Sequence, residues 1–212
     1  MRLMICTGPA TTGKTSVLRH VIRELLVVEV RPAFLKIDVQ HAAEAGRLGR
    51  EFGIPVRTEF SGDVCPYYGN MAVLPDALQW ARRERCSALL VESAGLCLRC
   101  APYVEGALGV VVLEATSGME LPLKVGPMLS MADVAVVTKI DRVSQAEREV
   151  FRARIRDAAP SVRIREVNAL HGIGIDPLVD YIMDSTPIAF DEHDRPAALR
   201  LRGDPPSMGR SE

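Results

Sequence analysis

Long apolar runs are missing from this chain. Nowhere in its 212 residues is there a stretch approaching the roughly 20 that a membrane-spanning helix needs. No secretory leader is expected either, because Met1-Arg2 runs directly into a strand-like segment, and with it a cytoplasmic protein without membrane contact is expected. Neither sign of charge is in excess. Lys plus Arg number 26 and Asp plus Glu 27, a net charge of -1, which argues against a nucleic-acid partner. Lysine is scarce: only residues 14, 36, 124 and 139 carry it, and arginine supplies the remaining positive charge. Five cysteines (Cys6, Cys65, Cys86, Cys97, Cys100) in a reducing compartment do not make a disulfide scaffold, which leaves metal ligation open for some of them. What remains is an ordinary globular composition, 48% hydrophobic and 25% charged, sufficient for one domain with a full core.

Apolar segments alternate with amphipathic ones, the pattern of a parallel sheet covered by helices on both faces. Strands are expected at about 2–7, 33–38, 56–60, 88–92, 109–113, 134–137 and 162–167. Helices are expected at about 14–28, 41–52, 70–84, 144–158 and 175–184, with a short one before residue 132. The fold class is therefore α/β, three layers with a mostly parallel sheet of about seven strands. The run Gly8 to Thr15, with the spacing Gly-x-x-x-x-Gly-Lys-Thr between the first strand and the first helix, makes it a phosphate-loop nucleoside-triphosphatase fold. Residues 1–186 form that domain. Residues 187–212, polar and rich in Pro, Arg and Gly, read as a flexible tail.

Between the first strand and the first helix lies Gly8-Pro9-Ala10-Thr11-Thr12-Gly13-Lys14-Thr15, which has the phosphate-loop spacing of Gly, four free positions and Gly-Lys-Thr. Small residues let backbone N–H groups of Gly8, Ala10, Thr11, Thr12, Gly13 and Ser16 close around phosphates. Lys14 is placed to reach the β and γ phosphates, and the Thr15 hydroxyl to ligate Mg²⁺. Asp38 and Glu92 both fall at carboxyl ends of expected strands, the edge where open α/β sheets bind ligands. A carboxylate there either holds Mg²⁺ or orients the attacking water, and Gly95, just beyond Glu92, suits a γ-phosphate sensor.

Thr138-Lys139-Ile140-Asp141 follows the most apolar strand and has the form of a guanine-reading motif. Guanine offers two adjacent N–H donors on one edge, which a single carboxylate, here Asp141, accepts; adenine has no such edge. The Lys139 stem is expected along the base face with its charge in water. Asn168-Ala169-Leu170 follows the last strand and is placed to meet the guanine O6 through a backbone N–H. GTP is thereby favoured over ATP.

These ordered blocks resemble the nickel-insertion GTPases that mature hydrogenase and urease, members of a dimeric phosphate-loop class. The resemblance covers about residues 3–184: the phosphate loop, Lys36-Ile37-Asp38, Glu92-Ser93-Ala94-Gly95, Glu114 through Lys124, Ala132-Asp133, Thr138 to Asp141, and Asn168-Ala169-Leu170-His171-Gly172 with Gly174. It implies slow GTP hydrolysis with Mg²⁺, with Lys14, Asp38 and Glu92 as the catalytic residues. It further implies a homodimer formed through the nucleotide face, and delivery of a metal to a client metalloenzyme or its accessory proteins. Three departures stand out. Position 138 carries Thr where the family has Asn, whose side chain ties the base loop to the phosphate loop. The family's Cys-His metal element appears as Cys65-Pro66-Tyr67, without the histidine, and no histidine-rich segment precedes the first strand.

Cys65, Cys97 and Cys100 lie in two loops expected at the same sheet edge, and make a plausible soft-metal set for Ni²⁺ or Zn²⁺, with an iron–sulfur cluster as a further option. Cys6 and Cys86 are expected in the core. His41 is expected to start or cap the second helix, His20 to sit on a helix face and His171 in the base loop, and Tyr67 and Tyr68 to pack a dimer face. Three other readings share the phosphate loop: a regulatory GTPase without metal transfer, a cofactor-assembly nucleoside triphosphatase, and a small-molecule kinase.

Overall fold

A computed structural model describes residues 1–38, 43–60, 66–93, 103–193 and 195–202, with the side chains of 43–44 and 66–71 also left outside that description. Seven strands, β1 (Arg2–Thr7), β2 (Pro32–Asp38), β3 (Val56–Phe60), β4 (Ala88–Ser93), β5 (Leu108–Glu114), β6 (Val134–Thr138) and β7 (Arg163–Glu166), form one sheet in the order β3-β2-β4-β1-β5-β6-β7. Every pairing is parallel. The helices are α1 (Lys14–Val27), α2 (Ala43–Phe52), α3 (Pro66–Arg83), α4 (Leu121–Lys124), α5 (Gly126–Met131), α6 (Gln145–Ala158) and α7 (Asp176–Asp184).

Strand side chains alternate between two cores. Leu3, Ile5, Leu35, Val91 and Val111 face α3, α5 and α6. Met4, Cys6, Phe34, Leu90 and Val112 face α1, α2 and α7. This three-layer arrangement explains why the central strands read as nearly unbroken apolar runs: both of their faces are covered. All seven strands fall where the sequence places them, within a residue or so. β1 lies between β4 and β5, so the chain moves outward in opposite directions on its two sides. The loops following β1 and β4 therefore meet at the carboxyl edge, the position that binds ligands in sheets of this kind.

Two expectations differ from the structure. Helix α3 begins at Pro66, four residues before the expected start at 70, and runs through Pro75. Proline suits a first helical position because its missing N–H would have no partner there. The buried Leu74, Ala77, Leu78 and Ala81 supply packing that outweighs the unfavourable Pro75. The second difference concerns the tail. Ile188 is buried and exchanges two backbone hydrogen bonds with Met1, and Val104 pairs with Leu201. Phe190, Leu199 and Leu201 pack on the core. The segment 187–202 was expected to be loose because its composition is polar, yet these few apolar residues find partners distant in sequence; residues 203–212 lie outside the described residues. No helix among the described residues is long and apolar enough to cross a membrane.

Candidate nucleotide site

The loop from Gly8 to Gly13 is built from unusual backbone geometry. Gly8, Thr11 and Gly13 all have positive φ, at 138°, 63° and 89°. At Gly8 no side chain is possible, because a Cβ would stand 2.1 Å from the Val112 carbonyl oxygen of β5. Thr12 closes the loop by donating its hydroxyl to the Pro9 carbonyl at 3.0 Å. Helix α1 starts at Lys14, so the unpaired N–H groups of its first turn face the loop's interior, a ready anion cradle. The buried Lys14 ammonium lies across this loop, donating to the carbonyls of Gly8 at 3.0 Å and Pro9 at 2.8 Å.

Thr15, Glu92 and Asp38 converge beside the loop. The Thr15 hydroxyl donates to the Glu92 carboxylate, with Oε1 and Oε2 at 2.9 and 2.8 Å. Register brings Glu92 here: on β4 it stands opposite Cys6 of β1 and Lys36 of β2, and all three side chains point toward α1. Lys36, for which the sequence suggests no function, is the unexpected member. Its ammonium lies 3.2 Å from Glu92 and 3.8 Å from Asp38, with only 7% of its side chain exposed. Alternation within β2 signals this placement, since Phe34, Lys36 and Asp38 share one face. A hydroxyl and two carboxylates form a hard oxygen donor set that fits Mg²⁺.

The base-side loops are tied to the phosphate loop. Thr138, fully buried at the end of β6, donates its hydroxyl to the Thr12 carbonyl at 2.7 Å and approaches that of Leu113 at 3.2 Å. A threonine thus makes the connection for which the family pattern uses asparagine. Lys139 adopts positive φ and its ammonium pairs with Glu114, so its charge is not left to water as expected. Asp141 is exposed in the short turn Ile140–Arg142. Asn168 shapes the second base loop: its side-chain oxygen accepts from the N–H groups of Leu170 at 3.1 Å and His171 at 3.2 Å.

His20 fastens that second loop from below. Its Nε2 is 3.1 Å from the Ala169 carbonyl, and its Nδ1 is 3.0 Å from Arg23 Nη1. A carbonyl only accepts and a guanidinium only donates, so the ring is the neutral Nε2–H tautomer. Burial, followed by the nearby Arg23 charge, holds its pKa below the usual histidine value. Gly172 packs on the ring so closely that a Cβ would come within 2.6 Å of Nδ1. His20 was expected only as a helix-face residue; its long-range partner leaves no local sequence signal.

Cys6 and Cys86 are buried, as expected, and burial is the main cause raising the pKa of each thiol, with Glu92 adding to the rise at Cys6. Neither offers a thiolate. Cys65, Cys97, Cys100, Gly95 and His41 lie outside the described residues, as do the side chains of Tyr67 and Tyr68. Among the described residues, no group of three or more His, Cys, Asp or Glu side chains is gathered to hold a metal ion.

Residues 2–166 match the family model described as the CobW/HypB/UreG nucleotide-binding domain. The chain belongs to this family. Within the range of its relatives, an uncharacterized protein of Methanocaldococcus jannaschii is 43% identical over 188 residues, covering 89% of this chain and 80% of that protein. The urease accessory protein UreG 2 of Streptomyces griseus is 29% identical over 197 residues, covering 82% of this chain and 83% of its own. Among solved structures, the hydrogenase maturation factor HypB of Archaeoglobus fulgidus superposes with a TM-score of 0.70 at 23% identity, covering 86% of this chain and 89% of that one. HypB of Helicobacter pylori, solved in complex with nickel, gives 0.69 at 20% identity, covering 87% and 86%. The fold is thus that of a HypB/UreG-like phosphate-loop GTPase.

Proposed function

We propose that this protein binds and slowly hydrolyses GTP and uses the nucleotide state to control uptake and delivery of a soft metal, nickel or zinc, to a client metalloenzyme. The observation that carries this reading is the junction at Glu92. Its carboxylate is held by Thr15 of the phosphate loop, and two residues later the chain enters the segment bearing Gly95, Cys97 and Cys100. A change at the nucleotide is therefore passed by a very short route to candidate metal ligands. The family membership supports GTP, the HypB structure solved in complex with nickel supports nickel as cargo, and the urease accessory relative supports a client enzyme.

In this reading the backbone of Gly8, Ala10, Thr11, Thr12, Gly13 and Ser16 surrounds the phosphates. Lys14 exchanges its two carbonyl partners for the β and γ phosphate oxygens, which carry more charge. Thr15, Asp38 and Glu92 hold Mg²⁺, which when bound neutralises charge on the phosphates. Asp38 or Glu92 orients the attacking water, and the Gly95 N–H meets the γ phosphate. Thr138 sets the distance between base and phosphate loops. Asp141 accepts the two guanine N–H groups, Lys139 lines the base, and the Asn168-Ala169-Leu170 turn meets O6. Exposed Phe60, Leu170 and Ile173, all at the carboxyl edge of the sheet, support a homodimer formed through the nucleotide face. Cys65, Cys97 and Cys100 are the metal ligands in this reading.

Anaerobically purified protein, titrated with GTP and with ATP and then analysed for nickel and zinc, tests it. Preference for GTP, and metal binding that changes with nucleotide and disappears when Cys65, Cys97 and Cys100 are replaced, is the expected result. Equal affinity for both nucleotides overturns the role of Asp141. Metal binding untouched by the three replacements overturns the metal reading.

A further inference from the structure

A lysine ammonium enclosed among the oxygens of a divalent-cation site is chemically conspicuous. Only 7% of the Lys36 side chain is exposed, and Glu92 beside it is as enclosed at 6%. The β2–β4 register fixes the pair: Lys36 stands directly opposite Glu92, so their side chains meet on one face. Asp38, two residues on, extends the contact at 3.8 Å. Thr15 completes the enclosure from α1 through its bond to Glu92. The chain has only four lysines, so its presence here is not a by-product of a lysine-rich composition.

We propose that Lys36 is an internal counter-cation that keeps the Thr15–Glu92–Asp38 oxygen cluster closed to free divalent metal, so that the site takes up Mg²⁺ only together with nucleotide phosphates. Two carboxylates close together attract a divalent ion, but a positive charge already among them offsets part of that attraction. Nucleotide phosphates bring negative charge of their own and restore the balance in favour of the metal. The result is an ordered uptake in which cation and nucleotide arrive together, and the empty protein carries no divalent ion. This rests on the reading of Thr15, Glu92 and Asp38 as the Mg²⁺ site, and not on which base the nucleotide carries.

Mn²⁺ titration of nucleotide-free protein, followed by the electron paramagnetic resonance signal of the free ion, tests the proposal directly. Mn²⁺ prefers oxygen ligands, so thiols interfere little. Lys36→Met removes the charge. Lys36→Gln removes it while keeping a donor to Glu92, a safeguard if the first variant leaves Glu92 unpaired and fails to fold. The expected result is Mn²⁺ binding at least about tenfold tighter in the neutral variants than in the wild type. Lys36→Arg should behave as wild type, and adding Glu92→Gln to Lys36→Gln should abolish the gain. Neutral variants that bind Mn²⁺ no more tightly than wild type overturn the proposal, as does a gain that survives Glu92→Gln. A separate titration with GTP and GDP reads the nucleotide site itself. Loss of binding there counts against the proposed function, while the metal titration alone decides the role of Lys36.

Discussion

The hydroxyl at position 138 has one hydrogen to give and two carbonyl oxygens within reach, those of Thr12 and Leu113. Thr138→Val keeps the shape, removes the donor and leaves the Thr12 carbonyl without it in a dry setting. Urea unfolding should show a loss of about 1–3 kcal/mol, and GTP should dissociate faster because the phosphate loop loses its link to the base loops. His20 carries a second residue-scale consequence. Its folded pKa is lowered, so the unfolded chain takes up the proton first as pH falls. The stability contributed by the neutral ring is complete above the ordinary histidine value of about 6.5 and is lost progressively below it. A proton on Nδ1 would also face Arg23 instead of accepting from it. Thermal melts between pH 7.5 and 5 should show a decline that is smaller in His20→Gln; equal slopes would contradict this account. The phosphate loop was legible at this scale because its spacing is local. Lys36 and the Lys139–Glu114 pair were not, because register across strands decides their partners.

Helix α6 shows how far local chemistry alone can define an element. Ser144 accepts from the Glu147 N–H, and the Glu147 carboxylate accepts in return from the Ser144 N–H at 2.8 Å, a reciprocal cap at the helix start. Ser144→Ala should lower stability by about 1 kcal/mol without altering nucleotide affinity, as measured by denaturant unfolding beside a GTP titration. The expected span, 144–158, agrees with this helix to within one residue, since its cap, periodicity and terminating Pro160 are all nearby signals. Helix α3 starts four residues before its expected position at 70 for the opposite reason. Gly69 argues against a helix locally, so the turn from Pro66 reads as loop, while Pro75 lies inside the expected helix and is outweighed by packing of Leu74 through Ala81 on the sheet. The strands were the easiest elements to place, because a sheet covered on both faces needs apolar runs and the polar turns between them are short.

At the scale of the whole molecule, both ends of the described chain meet behind the nucleotide edge. Arg202 is the fastening: its guanidinium reaches Asp133 at 2.8 Å, the Met131 carbonyl at 3.0 Å, and the Ala107 carbonyl. Asp133 in turn accepts from the Gly109 N–H at 2.7 Å, at the amino end of β5. Arg202→Ala should cost about 2 kcal/mol, the range for hydrogen bonds to charged groups. For a chain of this length that is a fall of roughly 4–8 °C in Tm. Nucleotide affinity should not change, because Arg202 lies at the edge opposite the phosphate loop. An unchanged Tm would show that these contacts add nothing to the fold. Composition could not reveal this segment, since what matters is where single residues land and not how many are apolar.

The separations bridged by Arg202, 69 residues to Asp133 and 95 to Ala107, also set a timetable. A chain emerging from the ribosome exposes every strand and the whole phosphate loop before residue 202 appears. At about 5–20 residues per second, the newborn sheet spends its first moments without its clasp. A message cut short after residue 186 would yield a protein with every proposed nucleotide contact in place and its back edge undone, able to bind its ligand yet exposed to the cell's proteases.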